Sequence, residues 1–132
     1  MALKTLTDLM DEAKTLRSQD AQSAWVRGLS KYAPNDRSIR DMKNFVAGCE
    51  HPTWIDYLLI EHGIKFSISS DGTDSQGVAG LVVRTLNGLT AQEIRATDFS
   101  EFRDIARYLN NKQQRTLNAI LNHIKEIIGH SE

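Results

Sequence analysis

Cys49 is the residue with the clearest capacity for chemistry, and it is the only cysteine among the 132 residues of the chain. It lies in the segment AGCEHPT, between Gly48 and Pro52, two residues that disfavour continued strand pairing. The sequence therefore predicts a thiol on a connection between two strands, where a loop tip can reach a partner. The alternative is a small buried hydrophobe at a strand end, which is how many free cysteines are used.

The neighbours of Cys49 would act on its thiolate in opposite directions. Glu50 would disfavour the thiolate through its like charge, whereas His51 would favour it when the imidazole is protonated. The alternative for His51 is an exposed turn residue without a role. Trp54 either lines a pocket around the thiol or packs in the core at the start of a strand.

Other kinds of site are not expected from this sequence. One cysteine cannot form a disulfide within the chain or supply a cysteine-ligated metal cluster. We find no zinc ligand set, phosphate-binding glycine loop or Ser-His-Asp pattern, and we expect no cofactor. The formal net charge of −1 gives no general attraction to nucleic acid or to a membrane surface. The first residues are too polar for a secretory signal, so we expect a reducing, cytoplasmic location.

Helical periodicity predicts the elements that flank the cysteine segment. The chain length and a hydrophobic content of 40% suit one domain, 1–132. Apolar spacing predicts helices over 1–18 and 21–32, the second ending before Pro34. The last helix has the clearest stripe. Its apolar positions are Leu117, Ile120, Leu121, Ile124, Ile127 and Ile128.

Three stretches in the middle of the chain predict β-strands. NFVAG (44–48) is a short candidate, TWIDYLLI (53–60) is rich in aromatic and branched residues, and IKFSIS (64–69) alternates apolar with polar residues. Gly63 supplies the turn of a hairpin between the last two. Because strands and helices are segregated, we expect an α+β fold in which a small three-stranded antiparallel sheet packs against helices.

Capping boxes predict where three helices begin after the hairpin, because each pairs a short polar residue with an acid or amide three positions later. The pairs are Thr73 with Gln76, Thr90 with Glu93, and Asp98 with Glu101.

Taken in order, these segments resemble the SufE family of cysteine desulfuration proteins. VAGC (46–49), with Trp54 five positions after Cys49, resembles the glycine–cysteine to tryptophan signature of that family. Further segments resemble family segments in the same order: AWVRGLSKYAP (24–34), the hairpin (53–69), VAGL (78–81), LTAQEI (89–94) and LNAIL (117–121). The resemblance covers 21–128 and leaves the predicted N-terminal helix, 1–18, least covered.

The resemblance implies a SufE/NifU-like α+β fold and a role in sulfur transfer. It implies that Cys49 accepts persulfide sulfur from a pyridoxal-phosphate cysteine desulfurase, stimulates that enzyme, and passes the sulfur to an Fe–S scaffold or another acceptor. Gly48, Glu50, His51 and Trp54 would form the surroundings of the thiol. Such a carrier is an accessory protein rather than an enzyme, and thiolate attack on sulfur needs no metal or cofactor on it. The alternative is an interaction module that regulates a desulfurase without carrying sulfur.

The chain departs from the family pattern at three positions. Many members have a serine two positions after the cysteine, where this chain has His51. A basic residue commonly precedes the glycine–leucine pair, where this chain has Ala79, and an arginine near the start of the last helix is replaced by Gln113. Arg115, two positions later, would point to another side of a helix. The losses at 79 and 113 keep the regulatory alternative open.

Overall fold

The computed structural model describes residues 4–61 and 63–129, which form an α+β structure. Within this part of the chain the main elements are α1 (Lys4–Lys14), α2 (Gln19–Gly28), β1 (Thr53–Ile60), β2 (Gly63–Ser70), α3 (Thr73–Leu86), α4 (Ala91–Ala96), α5 (Phe102–Ala106) and α6 (Asn111–Gly129). Short 3-10 helices lie at Leu29–Tyr32, Arg37–Ile39, Met42–Asn44 and Phe99–Glu101. Residues 1–3 of the predicted first helix, and His62 of the predicted hairpin turn, lie outside the described residues.

Helix α3 forms the centre of the hydrophobic core. Most of its 14 residues are buried, as expected for a helix that is surrounded by other elements. It packs against α2, the 3-10 helix that follows α2, β2 and α6. Gly80 permits the closest of these approaches, because a Cβ at this position would collide with the carbonyl group of Leu29.

The sheet contains two described strands, so the prediction of three strands is wrong. β1 and β2 form an antiparallel hairpin from the pair Thr53 and Ser70 to the pair Ile60 and Gly63. The predicted strand over 44–48 makes only one bridge, between Phe45 and Trp54. The physical reason lies on both sides of that bridge: the preceding residues Met42–Asn44 form a 3-10 turn, and the chain turns away soon afterwards at Gly48.

The predicted alternation of β2 holds only in part. Lys65 is exposed as expected, but Ser69, expected on the wet face, is 0% exposed. Its hydroxyl accepts a hydrogen bond from Arg40 Nε at 2.8 Å and donates one to Asn35 Oδ1 at 2.5 Å. The segment before β1 therefore covers the end of the face that the sequence pattern assigned to solvent.

The predicted cap of α3 is wrong, and the predicted cap of α4 is confirmed. Thr90 and Glu93 form the reciprocal capping box at the start of α4. At α3 the N-cap is Gly72, and the side chain of Gln76 donates instead to the carbonyl oxygen of Ala33. Gln76 thus donates to a distant carbonyl group instead of accepting the local N–H that a capping box would give it.

The third predicted cap opens a different kind of helix. Asp98 Oδ1 accepts the backbone N–H of Ser100 at 2.9 Å, and the residues that follow form the 3-10 helix Phe99–Glu101 before α5 begins. An aspartate that accepts an N–H two positions on favours a tight turn over the first turn of an α-helix.

Candidate functional site

Cys49 lies on a loop, residues 47–52, that connects the Phe45 bridge to β1. The loop is closed at its base, where Val46 N–H donates to the carbonyl oxygen of Thr53 at 2.9 Å. On the other side, the N–H of Asp71 donates to the carbonyl oxygen of Pro52 at 3.1 Å. We call residues 47–52 the cysteine loop. Its two ends are thus fixed by main-chain contacts to neighbouring segments.

Gly48 sets the direction in which the cysteine loop leaves the bridge. Its φ angle is +94°, a left-handed conformation that glycine adopts without the steric cost other residues meet. A Cβ at this position would lie 3.4 Å from the Cβ of Ala119 on α6. The conformation therefore lays the start of the loop against α6.

The thiol of Cys49 is half-buried and packs against the edge of the hydrophobic core. Burial raises the pKa of the Cys49 thiol, and a side-chain hydrogen bond with Thr53 acts in the opposite direction with a smaller effect. Because an ordinary thiol has a pKa of about 8.5, the free protein carries Cys49 mainly as the thiol at neutral pH. The loop gives the sulfur only partial access to solvent.

Glu50 is held by a side chain from the far end of the sequence. Its Oε1 accepts a hydrogen bond from Arg115 Nε at 2.8 Å and a second, shorter one from Arg115 Nη2. These hydrogen bonds, followed by the charge of Arg115, lower the pKa of the Glu50 carboxyl. The arginine faces a different side of α6 from buried Gln113, as predicted, and that side is the one that meets the cysteine loop.

His51 lies against the start of α3. Its ring occupies the space beside Gly72, where any Cβ would collide with it. Its carbonyl oxygen accepts the hydroxyl of Thr53 at 2.9 Å. Burial raises the pKa of Cys49 and the Thr53 hydrogen bond opposes that shift, whereas the charges of Glu50 and His51 are not among its causes.

Trp54 forms part of an aromatic and cationic stack at the base of the cysteine loop. The guanidinium carbon of Arg40 lies 4.4 Å from the Trp54 ring centroid, and the Phe45 ring meets it edge-on at 5.9 Å. Arg40 also pairs with Asp71 at 2.7 Å. This stack favours the packing interpretation of Trp54, because its described ring contacts are with Arg40 and Phe45.

The departures at 79 and 113 both fall on buried positions. Ala79 is 0% exposed within α3. Gln113 is also 0% exposed. It forms a capping box with Asn110 at the start of α6, and its Nε2 donates to Asp74 Oδ1 at 2.9 Å. Asp74 in turn pairs with Arg27 at 3.3 Å. Gln113 thus joins α6 to α3 through hydrogen bonds.

His123 is a half-buried residue near the cysteine loop, although it lies outside the apolar stripe predicted for the last helix. It lines a cleft of about 260 Å³ together with Ala47, Gly48 and Ala119. Burial lowers the pKa of His123, and the charge of Glu126 opposes this shift. Its exposure depends on how the loop packs on α6, which helical periodicity alone does not give.

Two absences among the described residues bear on metal and membrane chemistry. Over 4–61 and 63–129, no group of three or more His, Cys, Asp or Glu side chains could hold a metal ion. No helix in this part of the chain combines the length and the apolar character needed to cross a membrane.

The fold and the site together define a small α+β protein whose distinctive chemical group is one thiol on a loop. A family model for SufE, described as the Fe-S metabolism associated domain, matches residues 7–128. The chain therefore belongs to the SufE family, which is associated with Fe–S metabolism.

One curated relative is SufE-like, and one solved structure shares the fold. The chain is 25% identical over 116 residues to SufE-like protein 2, chloroplastic, of Arabidopsis thaliana, an alignment that covers 87% of this chain and 42% of that protein. The chain thus spans less than half the length of this relative. The solution structure of a hypothetical protein from Thermus thermophilus matches with a TM-score of 0.73 at 12% identity, covering 98% of this chain and 96% of that one, which shows the fold.

Proposed function

We propose that the chain is a sulfur-carrier protein in which Cys49 accepts persulfide sulfur from a cysteine desulfurase. The observation that carries the proposal is the position of the only cysteine, half-buried on a loop closed at its base, in a member of the SufE family. The carrier stimulates the desulfurase by removing its persulfide. It then passes the sulfur to Fe–S cluster assembly or another acceptor, in a reducing compartment such as the cytoplasm.

The transfer step is an exchange between two sulfur atoms. The Cys49 thiolate attacks the terminal sulfur of the desulfurase persulfide, a new S–S bond forms on Cys49, and the S–S bond on the desulfurase cysteine breaks. The desulfurase cysteine leaves as a thiolate and takes up the proton that Cys49 has lost. No electron is gained or lost overall, so the carrier needs no redox cofactor. The pyridoxal phosphate that generates the persulfide belongs to the desulfurase.

The raised pKa and the half-burial of the thiol define what docking has to achieve. In the free chain the sulfur is mainly protonated and partly covered, so attack requires a change in the cysteine loop or a base from the partner. Of the surrounding residues, Gly48 sets the loop direction, Glu50 ties it to α6, His51 packs on α3 and Trp54 anchors its base. We assign them to the thiol environment rather than to the reaction itself.

The second candidate is an interaction module that regulates a desulfurase without carrying sulfur. The half-buried thiol with its raised pKa is the observation that favours it, because the free chain presents little thiolate.

Mass spectrometry after incubation with a pyridoxal-phosphate cysteine desulfurase and free cysteine separates the two candidates. A carrier gains one or more sulfur atoms, removable by reductant, and fragmentation locates them on Cys49. The Cys49→Ser variant gains none and keeps the parent's circular dichroism. An unmodified parent chain that still accelerates the desulfurase would establish the regulatory module instead.

A further inference from the structure

The two edges of the β-hairpin differ in how their main-chain groups are used. On β2, the N–H of Ile64 donates to the carbonyl oxygen of Leu89 at 2.8 Å, and the carbonyl oxygen of Ile64 accepts the N–H of Gly88 at 3.0 Å. Further along, the N–H of Phe66 donates to the side chain of Asn87 at 2.9 Å. The loop after α3 therefore covers the outer edge of β2.

The outer edge of β1 is covered only at its beginning. The Phe45 bridge meets Trp54, and no described segment continues the pairing toward Ile60. Leu59 stands opposite Ile64 in the hairpin, so its N–H and carbonyl point away from β2, as those of Ile64 point away from β1. The same holds for Tyr57, opposite Phe66. The N–H of Tyr57 donates at 2.8 Å to Asp56 Oδ1, a local side-chain contact that a strand can displace.

Apolar side chains surround this uncovered edge. Leu58, Leu59 and Ile60 are 63%, 66% and 44% exposed, although large hydrophobic residues are usually covered in a monomer. A groove of about 750 Å³ runs beside the strand, between β1 and the last turns of α6. Natural edge strands are normally protected by charged side chains, proline or a bulge; the stretch 56–60 has one charged residue, Asp56, at its start, and no proline or bulge. We call this stretch the free edge.

We propose that the free edge is the contact by which two copies of this chain associate, through antiparallel pairing about a two-fold axis at Leu58. The free edge has five residues, and Leu58 is the middle one. Around that axis the outward-facing Tyr57 stands opposite the partner copy's Leu59, and each pair exchanges both main-chain hydrogen bonds. The hairpins of the two copies then form one four-stranded sheet.

Charge and the Phe45 bridge each exclude one alternative register. With the axis at Leu58, Asp56 stands opposite Ile60 of the other copy and no like charges face each other across the strands. An axis at Asp56 would place two carboxylates directly opposite, which is unfavourable in a sheet. An axis at Tyr57 would carry Ile60 of the other copy to Trp54, where the Phe45 bridge already occupies the edge.

The size of the apolar patch predicts a weak complex. Three exposed apolar side chains, those of Leu58, Leu59 and Ile60, make a small patch beside the roughly 800 Å² that each partner of a stable interface buries. We therefore expect a dissociation constant of about 10 µM or higher. This contact is independent of the sulfur-transfer proposal, because it uses no residue of the cysteine loop for pairing.

Sedimentation velocity over about 10 µM to 1 mM tests the proposal. The parent and all variants in this experiment carry Cys49→Ser, so that disulfide-linked dimers cannot form. A residue on a two-fold axis meets its own copy, so Leu58→Glu and Leu58→Lys should each weaken association about tenfold or more. An equimolar mixture of the two variants should associate at least as tightly as the parent. Met42→Glu, at an 82% exposed apolar side chain outside the strand, is the matched control and should stay within about twofold.

Several results would overturn the proposal. A parent chain that remains monomeric up to about 1 mM would show that no copy of this chain covers the free edge. Variants that associate like the parent would place any dimer contact elsewhere. A mixture of the Glu and Lys variants that does not recover association would exclude a two-fold axis at Leu58. If the parent is monomeric and Leu58→Glu loses binding to a desulfurase, the free edge serves that partner instead.

Discussion

The two ends of β1 present opposite kinds of surface. At its beginning, the cysteine loop is polar, and contacts from three other elements hold it: Arg115 on α6, Gly72 before α3 and Asp71 after β2. At its end, the strand is apolar, exposed and paired on one side only. The proposed sulfur acceptor, Cys49, therefore lies on a loop that three elements hold, and the proposed contact between copies lies where β1 is least covered.

On the two proposals, sulfur transfer and self-association lie at opposite ends of β1. A thiol on an unconstrained apolar edge would be exposed to oxidation and to non-specific contact, whereas burial raises the pKa of Cys49 and so favours its protonated form. An edge strand, in contrast, can associate only if its main-chain groups stay accessible. Substitutions at one end should leave the property of the other end unchanged.

The largest expected effect is a crossover between Cys49→Ser and Leu58→Glu. The first variant should lose all sulfur uptake from a desulfurase and keep the self-association of the reduced parent. The second should lose self-association and keep the parent's sulfur uptake. Mass spectrometry measures the sulfur uptake of both variants, and sedimentation velocity measures their self-association. Loss of sulfur uptake in Leu58→Glu would break the comparison, because it would show that both ends form one functional surface.

The next effect concerns the backbone of the cysteine loop. Gly48→Ala forces a non-glycine residue to a φ of +94°, so we expect a loss of about 1–2 kcal/mol in the free energy of unfolding. Cys49 should also react faster with iodoacetamide, because the loop can relieve the strain by leaving α6. Gly28→Ala is the control: φ is −67° there and a Cβ would meet nothing within 4 Å. Equal stability losses in the two variants would mean that the loop conformation is not specifically maintained.

The third effect is a contribution of the Cys49 thiol to the pH dependence of the free energy of unfolding. Burial raises the pKa of the thiol in the folded state above its value in the unfolded chain. Folding therefore favours the protonated thiol: this contribution to stability is fully present below the unfolded pKa of about 8.5 and is lost as pH rises through the folded pKa. Denaturant unfolding should show a steeper alkaline loss for the parent than for Cys49→Ser. Parallel curves would show that the thiol is not buried in solution.

Local patterns predicted the parts of this fold that depend on local contacts. The strand over 53–60, the hairpin turn near Gly63 and the capping box at Thr90 all match the structure, because periodicity, turn geometry and caps act over a few residues. The long apolar stripe of the last helix matches as well. Its buried side faces α3.

Two of the failures, at Gln76 and Ser69, have a different cause, which is competition from distant residues. Gln76 does not form a local capping box. Its side-chain amide donates a hydrogen bond to the carbonyl oxygen of Ala33, 43 positions away in the sequence. Ser69 is covered by Arg40 and Asn35 rather than by water. Rules of residue spacing act over a few positions, so they cannot predict hydrogen bonds between residues this far apart in the sequence.

The candidate site shows the same division between local features, which the sequence predicts, and long-range contacts, which it does not. The sequence indicated Cys49 and its immediate neighbours, and the turn residues around them predicted a loop. It gave no sign that Arg115 would bind Glu50, because the two residues lie 65 positions apart and opposite charge is the only signal they share. The partial burial of the sulfur likewise depends on how the loop lies against α6.

The fourth effect tests the ion pair that ties the loop to α6. Both side chains are exposed, so the pair is weak and screened by salt. Arg115→Gln should raise the iodoacetamide rate of Cys49 about two- to threefold at low salt, and added salt should raise the parent's rate toward the same value. Lys112→Gln is the matched control, because it removes a nearby charge without removing the hydrogen bonds. A similar rate increase in that control would assign the effect to charge alone.

The smallest effect on the alkylation rate of Cys49 is expected at His51, although the sequence alone suggests a larger one. An imidazolium close to the sulfur would favour the thiolate, and replacement by the serine common in the family would then slow alkylation, more strongly near pH 6 than near pH 8. The structure instead packs the ring beside Gly72, and the shift at Cys49 comes from burial and Thr53. His51→Ser should therefore change the alkylation rate by less than about twofold at both pH values. Gly72→Ala, which would push the ring away from α3, provides the contrasting variant. If His51→Ser slowed alkylation about tenfold near pH 6 alone, the imidazolium would have to reach the sulfur in solution, and His51 would belong to the reactive group.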